Sequence, residues 1–266
     1  MKQLIFTMII ASIVWFGAWF WNAGTNINRF ENWAAAQNNA DTVLGYSGVD
    51  QNGFPNRYDL EISAPVLAIQ GMPEISLPFV QIMRLVYVSD HWIVALANSL
   101  TVGSHQVALS DAKASVVRED ASIRVNVEIE QIASRGVALE NVFAATLWTG
   151  SETKRYVQIG SSDDINFVRI EFDPVPARQS NILRQILDVC QPTPFSVTDV
   201  DGAILDGQIL EGCALEIYEI YAPEKARAVL ERVARLSPAF DPAEGFQIKD
   251  GLVMQNARPV GQAYRE

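Results

Sequence analysis

Two histidines, two cysteines and one aspartate-rich stretch are the residues whose types and spacing could do chemistry in this chain. Hydrolysis needs a nucleophile, a base and a group that orients the base. His91 and His105 are the only imidazoles. His91 opens the apolar run HWIVALA and His105 follows Gly103-Ser104, so each is expected to tether the start of a strand. No GxSxG occurs; Gly45-Tyr46-Ser47-Gly48 is one residue short of it. Asp199, Asp201 and Asp206 in TDVDGAILDG are spaced somewhat like a calcium loop, but Ala203 stands at the third ligand position. Two Asp-Gly turns account for the same residues. Cys190 and Cys213 form neither a CxxC pair nor a Cys/His cluster. Bridged, they would close a loop of 24 residues and stabilise the fold by about 3 kcal/mol; the alternative is two buried thiols that never meet. We expect the disulfide, no metal, no cofactor and no enzymatic activity.

The elements that would position these residues are mostly strands. Tyr58, Leu60 and Ile62 alternate with polar neighbours, as do Ile123, Val125, Val127 and Ile129, and again Val168, Ile170 and Phe172. That period of two marks strands with one face on a core and one in water. Further strands are expected at 79–88, 91–97, 105–109, 137–148, 155–159 and after Cys213. Asn52-Gly53, Asp201-Gly202, Asp206-Gly207 and Asp250-Gly251 read as tight turns. Pro65, Pro73 and Pro78 mark the stretch between them as an edge or a connection. Helical spacing is expected at 177–189 and at 223–236, where Pro223 is placed near the first helical position. The fold class is α+β and β-dominated: an N-terminal transmembrane helix, then a mostly antiparallel sheet or sandwich with two packed helices.

Residues 3–28 carry no charge, and Leu4–Trp21 form one apolar run of 18. Such a helix is about 27 Å long, close to the roughly 30 Å hydrocarbon core. Its nine Leu, Ile, Val and Phe residues favour insertion by roughly 3 to 5 kcal/mol. Trp15, Trp19 and Trp21 belong to an aromatic belt at its far end, the membrane-anchor residues of this reading. Cleavage as a signal peptide is disfavoured, because a cut after Ala18 or Ala23 puts Phe16 or Trp21 where a small residue is wanted. Lys2 and the amino terminus favour a cytoplasmic start. The expected layout is a cytoplasmic end at 1–3, an anchor at 4–21, a helical stalk at 22–41 and a periplasmic β-rich domain at 42–266, single-pass in a bacterial inner membrane.

Lys2 apart, 19 basic residues face 31 acidic ones, a net charge of −12 on the body. A phosphate backbone repels such a surface, so no nucleic-acid partner is expected. The partner expected is the bilayer, through residues 4–21. Leu77–Ala97 is apolar at both strand parities, which requires cover on two faces. Phe79, Leu85, Tyr87, Trp92 and Val94 are therefore the expected contacts of a hydrophobic ligand.

Gly53-Phe54-Pro55-Asn56-Arg57-Tyr58-Asp59-Leu60, then Ile62, Ala64, Pro65 and HWIVALA, resemble the "GFPxRxDL" region of the bacterial domain-of-unknown-function family numbered twenty-one twenty-five. Phe246, Asp250-Gly251-Leu252 and Arg258-Pro259-Val260-Gly261 resemble its closing pattern. The resemblance implies an envelope location and transfers no catalytic residue. Within GFPNRYDL, Phe54 is expected to plug the core, with Arg57 and Asp59 on one strand face. Two functions remain open at this point. One is binding of a hydrophobic ligand or lipid. The other is an interaction subunit of a membrane complex, packing Trp15, Trp19, Gly17 and Ala18 against another helix.

Overall fold

The computed structural model describes residues 2–70, 73–134, 136–149, 151–160, 167–176, 193–209, 215–236, 247–249, 252–255 and 258–262. Helix α1 (Lys2–Gln37) is one unbroken rod of 36 residues, about 54 Å long. Asn38 and Asn39 stop it: their side-chain oxygens accept bonds from the backbone N–H groups of Leu44, Asp41 and Thr42. Residues 5–18 are exposed all round, whereas Trp19, Ala23 and Ala34 are buried at helical spacing. α1 therefore has a bare half and a half that lies on the body.

The strands follow in order: β1 (Thr42–Gly45), β2 (Gly48–Asn52), β3 (Arg57–Ser63), β4 (Val66–Ile69), β5 (Ile75–Ser76), β6 (Phe79–Leu85), β7 (His91–Leu96), β8 (Ser99–Val102), β9 (His105–Ser110) and β10 (Lys113–Glu119). Then come β11 (Ser122–Ser134), β12 (Val137–Trp148), β13 (Glu152–Ile159), β14 (Val168–Pro176), β15 (Thr193–Asp199), β16 (Gly202–Ile209) and β17 (Leu215–Ile220). Helix α2 (Pro223–Leu236) and a small sheet of β18 (Gln247–Lys249), β19 (Leu252–Gln255) and β20 (Arg258–Gln262) complete the described elements.

β1–β17 form one 17-stranded antiparallel sheet. Its pairings reduce to a simple plan. β2 pairs with β3 while β1 pairs with β4; β3 pairs with β6 while β4 pairs with β5; β6 pairs with β7 while β5 pairs with β8. β7 pairs with β10 while β8 pairs with β9, and both β9 and β10 lie on β11. Five passages of the chain are thus each broken into two strands, and seventeen strands are twelve passages, each beside its sequence neighbours. The breaks line up as a crease at Tyr46-Ser47, Ala64-Pro65, Leu77-Pro78, Ala97-Asn98 and Asp111-Ala112. Hydrogen bonds continue across it: Ala64 N to Pro78 O at 2.8 Å, Leu96 N to Ala112 O at 3.0 Å and Leu109 N to Asn98 O at 2.8 Å. Ala64 and Asp111 take left-handed φ values of 45° and 42° there, which lets the chain turn without leaving its ladder.

Pro65–Pro78 thus differs from the expected edge or connection. It holds β4 and β5, and β4 lies between β1 and β5. Pro65 and Pro78 occupy the crease, where a missing N–H costs little, and the Pro65 carbonyl still accepts a bond from Leu77 N at 3.1 Å. Asp206-Gly207 is also no turn: it lies inside β16 at a bulge against β17. α2 occupies the expected 223–236, and its Ala226 and Val229 pack on Val168, Phe195, Val197, Ile204, Leu205 and Ile217. The expected helix at 177–189, Cys190, Cys213 and Asp250-Gly251 lie outside the described residues.

Candidate functional site

Directly paired residues of an antiparallel ladder share a face, so the register can be followed across the sheet. Leu60 faces Ile82, Ile82 faces Val94, Val94 faces Ala114 and Ala114 faces Val127. The row continues through Ala144, Val157, Ile170, Val197, Leu205 and Ile220. It crosses eleven consecutive strands of the sheet, β3, β6, β7 and β10–β17, without one polar residue. A parallel row runs through Trp92, Val116, Val125 and Thr146 to Arg155, Phe172 and Phe195. The opposite face is mostly polar, along Glu61, Gln81, Ala95, Lys113, Glu128, Phe143, Gln158 and Arg169. There Gln81 Nε2 donates to Glu61 at 2.8 Å, and Arg169 pairs with Glu171 at 2.6 Å.

Among the described residues, two helices cover the apolar face, one from each end. α1 lies over Tyr58 at the β3 end, where Trp19 stacks on the tyrosine ring at 5.7 Å. α2 closes the β15–β17 end and also reaches β12, so the sheet curls around it. Leu60, Val197 and Leu205, near the ends, are buried, whereas Ile82, Val94, Ala114, Val127, Ala144, Val157 and Ile170 between them are only half-buried. Beside this stretch the Trp148 indole N–H is buried with no acceptor. The arrangement offers a long apolar strip, with Thr146 and Arg155 in the row beside it and the Trp148 indole N–H at β12, midway across the eleven strands.

The expected ligand contacts separate in space. Trp92 and Val94 lie on the apolar face, Trp92 beneath the Arg118 guanidinium at 5.8 Å. Phe79 and Leu85 have the opposite parity in β6 and point to the other face. Tyr87 stands at a turn, 78% exposed. The residues that join Trp92 and Val94 are Ile82, Val116, Val125, Val127, Val157 and Ile170, which the sequence reading did not select. The period of two was visible in each segment, but the register that aligns the segments was not.

Phe54 does not enter the sheet core. It is 48% exposed and sits edge-on to Trp19 at 5.4 Å and Phe16 at 5.5 Å. The difference follows from Gly53, whose φ of 96° aims the next residue outward toward α1. The Trp19 indole donates to Arg57 O at 3.0 Å, fixing helix to turn. Trp15 and Trp21 are exposed on the helix surface. Arg57 and Asp59 do share a face and pair at 2.8 Å.

The groups suited to chemistry are engaged elsewhere. His91 Nε2 meets Ser115 Oγ at 2.9 Å on an open strand surface. The neighbouring Asp90 carboxylate is bound by Ser89 and Arg118, and those bonds lower its pKa. Between Asp199 and Asp201 lies the Lys225 ammonium of α2. That hydrogen bond holds the Asp199 carboxyl below its usual range and the same contacts raise Lys225. The Tyr221 hydroxyl donates to Asp206 at 2.7 Å and Glu219 at 3.1 Å, and its pKa is pushed up to about 12. Among the described residues no three His, Cys, Asp or Glu side chains are grouped to hold a metal.

A family model described as "Uncharacterized protein conserved in bacteria (DUF2125)" matches residues 19–170. The match begins at Trp19, the first α1 residue buried against the body, and ends at Ile170 in the apolar row; the closing stretch from Phe246 lies beyond it. No curated protein and no solved structure matches the chain.

Proposed function

Because the chain belongs to the DUF2125 family and carries one helix long and apolar enough to cross a membrane, we propose that it is a single-pass inner-membrane protein whose β-rich body lies in the periplasm and holds a hydrophobic ligand or lipid. The supporting observation is the unbroken apolar row, sealed by a helix at each end and half-open between them. Half-buried apolar residues in the middle of a sheet are a standing cost of about 25 cal/mol for each Å² left in water. An acyl chain laid along the row would remove it. The Trp148 N–H, midway along the row, would then be free to meet a polar group of the ligand, and in this reading the protein works by binding, with no catalytic step.

Purification of the full chain in mild detergent, followed by mass spectrometry of bound lipids, tests this. Lipid retained by the wild type and lost from Val127→Asp, with the protein still in the membrane fraction, is the expected result. Equal lipid in both proteins rejects the row as the binding surface.

A second reading is supported by α1 itself. Gly17 has no atom within 4 Å of the Cβ position it lacks, so with Ala18 it leaves a flat spot on an otherwise bulky rod. Small residues of this kind admit a second membrane helix. In that reading the chain is a subunit of an inner-membrane complex, and a protein that co-purifies with the wild type and is lost from Gly17→Leu distinguishes it.

A further inference from the structure

A hydrocarbon core of about 30 Å takes about 20 helical residues. The apolar run of α1 ends at Trp21, so the headgroup level runs along Phe16–Ala23. The body meets the helix at that level with two turns. One is Gly53–Arg57, closed by a bond from Arg57 N to Gly53 O at 2.9 Å. The other follows β6 and is tied to the first by Val86 N bonding Asn56 O at 3.0 Å. Val86 packs into the Trp19, Ala23 and Tyr58 cluster, which fixes both turns to the helix. Phe54 and Tyr87 are exposed on them, as is Leu85 at the end of β6 beside Arg57, among the exposed polar residues Asn56, Arg57, Ser89 and Asp90. Phe54 reaches Phe16 as well as Phe20, at 5.5 and 6.3 Å. Phe16 is one helical turn, about 6 Å, deeper than Phe20.

We infer that these two turns are a second membrane contact, inserting Phe54, Leu85 and Tyr87 among the lipid headgroups of the bilayer that α1 crosses. Three features select a bilayer as the occupant. The surface is continuous with the spanning helix. Its side chains are the aromatic and aliphatic types of an interfacial belt. Two arginines flank it, Arg57, paired with Asp59 at 2.8 Å, and Arg84, stacked on Tyr58 at 5.5 Å. The acidic body is repelled from anionic headgroups over its broad faces, so contact by the tip is favoured over lying flat. The helix and turns together hold the body at one angle to the membrane and set the β3 end of the apolar row, at Tyr58, beside the lipid.

The inference rests on α1 spanning the bilayer, and the test separates the two. The full chain is reconstituted in vesicles of phosphatidylethanolamine and phosphatidylglycerol with the photoreactive p-benzoylphenylalanine at Phe6, Phe54, Tyr87 or Val43 in turn. All four are exposed, so the replacements need no space in a core. Val43 follows the far end of α1, about 26 Å along the helix from Phe20. After irradiation, mass spectrometry counts lipid adducts. Adducts at Phe54 and Tyr87 comparable with Phe6, and background at Val43, are expected. Adducts at Phe6 alone overturn the tip contact and leave the anchor standing. Adducts at none overturn both, and adducts at Val43 equal to those at Phe54 show a body lying flat and overturn the tip contact.

Discussion

At the scale of residues, three side chains carry most of the local argument. Gly53 has φ +96°, and a Cβ there would stand 2.8 Å from the Asp59 carboxyl carbon and 2.9 Å from Arg57 O. Gly53→Ala should therefore destabilise the protein by about 1 to 3 kcal/mol through strain alone, read as a shift of the urea midpoint. Trp19 is buried and bonded; Trp19→Ala should cost about 3 to 5 kcal/mol, and Trp19→Phe, which keeps most of the ring contact, about 1 kcal/mol for the lost hydrogen bond. Tyr221 gives a pH test. Its folded pKa of about 12 lies above the ordinary value near 10, because its hydrogen bonds to Asp206 and Glu219 hold the proton and a phenolate would face two carboxylates. The stability it contributes is present in full below about pH 10 and lost as pH rises toward 12. The midpoint difference between wild type and Tyr221→Phe should be constant to about pH 10 and shrink above it; a difference that stays constant to pH 12 would remove the bonds to Asp206 and Glu219 from the account. The sequence indicated that Asn52-Gly53 turns. It gave no sign that Phe54 faces a helix, because that depends on where α1 lies.

At the scale of elements, period-two alternation located the strands well. β12 spans 137–148 as expected and β3 spans Arg57–Ser63. The Pro65–Pro78 segment misled, because the rule against proline in strands applies to ladder positions and these prolines sit at a fold in the strand. The Asp206-Gly207 pair misled for a similar reason: a bulge uses the same permissive backbone as a turn. At the crease, Ala64 holds φ 45°, which a glycine would adopt freely. Ala64→Gly should be neutral or stabilise by up to about 1 kcal/mol, and Ala64→Val should destabilise, because a β-branched residue resists that conformation. Thermal melts of the two variants should move in opposite directions. For α1, a charge in mid-span costs about 2.5 to 3.5 kcal/mol of insertion, so Ile9→Asp with Ile13→Asp should shift the protein out of the membrane fraction.

At the scale of the whole molecule, the fold class was legible and the candidate site only partly so. An uncharged N-terminal run and an acidic strand-rich body can be read from composition. The apolar row cannot, since it exists only once eleven strands are in register, and each contributes one unremarkable Val, Ile, Leu or Ala. Phe79 and Leu85 were drawn in by their apolar character, although their parity sends them to the other face. The proposed topology predicts that a reporter fused after Glu266 is active only in the periplasm. There, Cys190 and Cys213 should show no free thiol when the denatured, unreduced protein is labelled. One feature of the fold also bears on how the body forms. Every passage of the main sheet pairs with the passages just before and after it in sequence, so loop closure is short at each step. In the proposed topology, a chain tethered by its first helix would acquire its strands in the order in which they cross the membrane, each new passage finding its template already in place. The exposed sheet edge at any moment is the one awaiting the next segment, so the edge open to a neighbouring chain stays a single one.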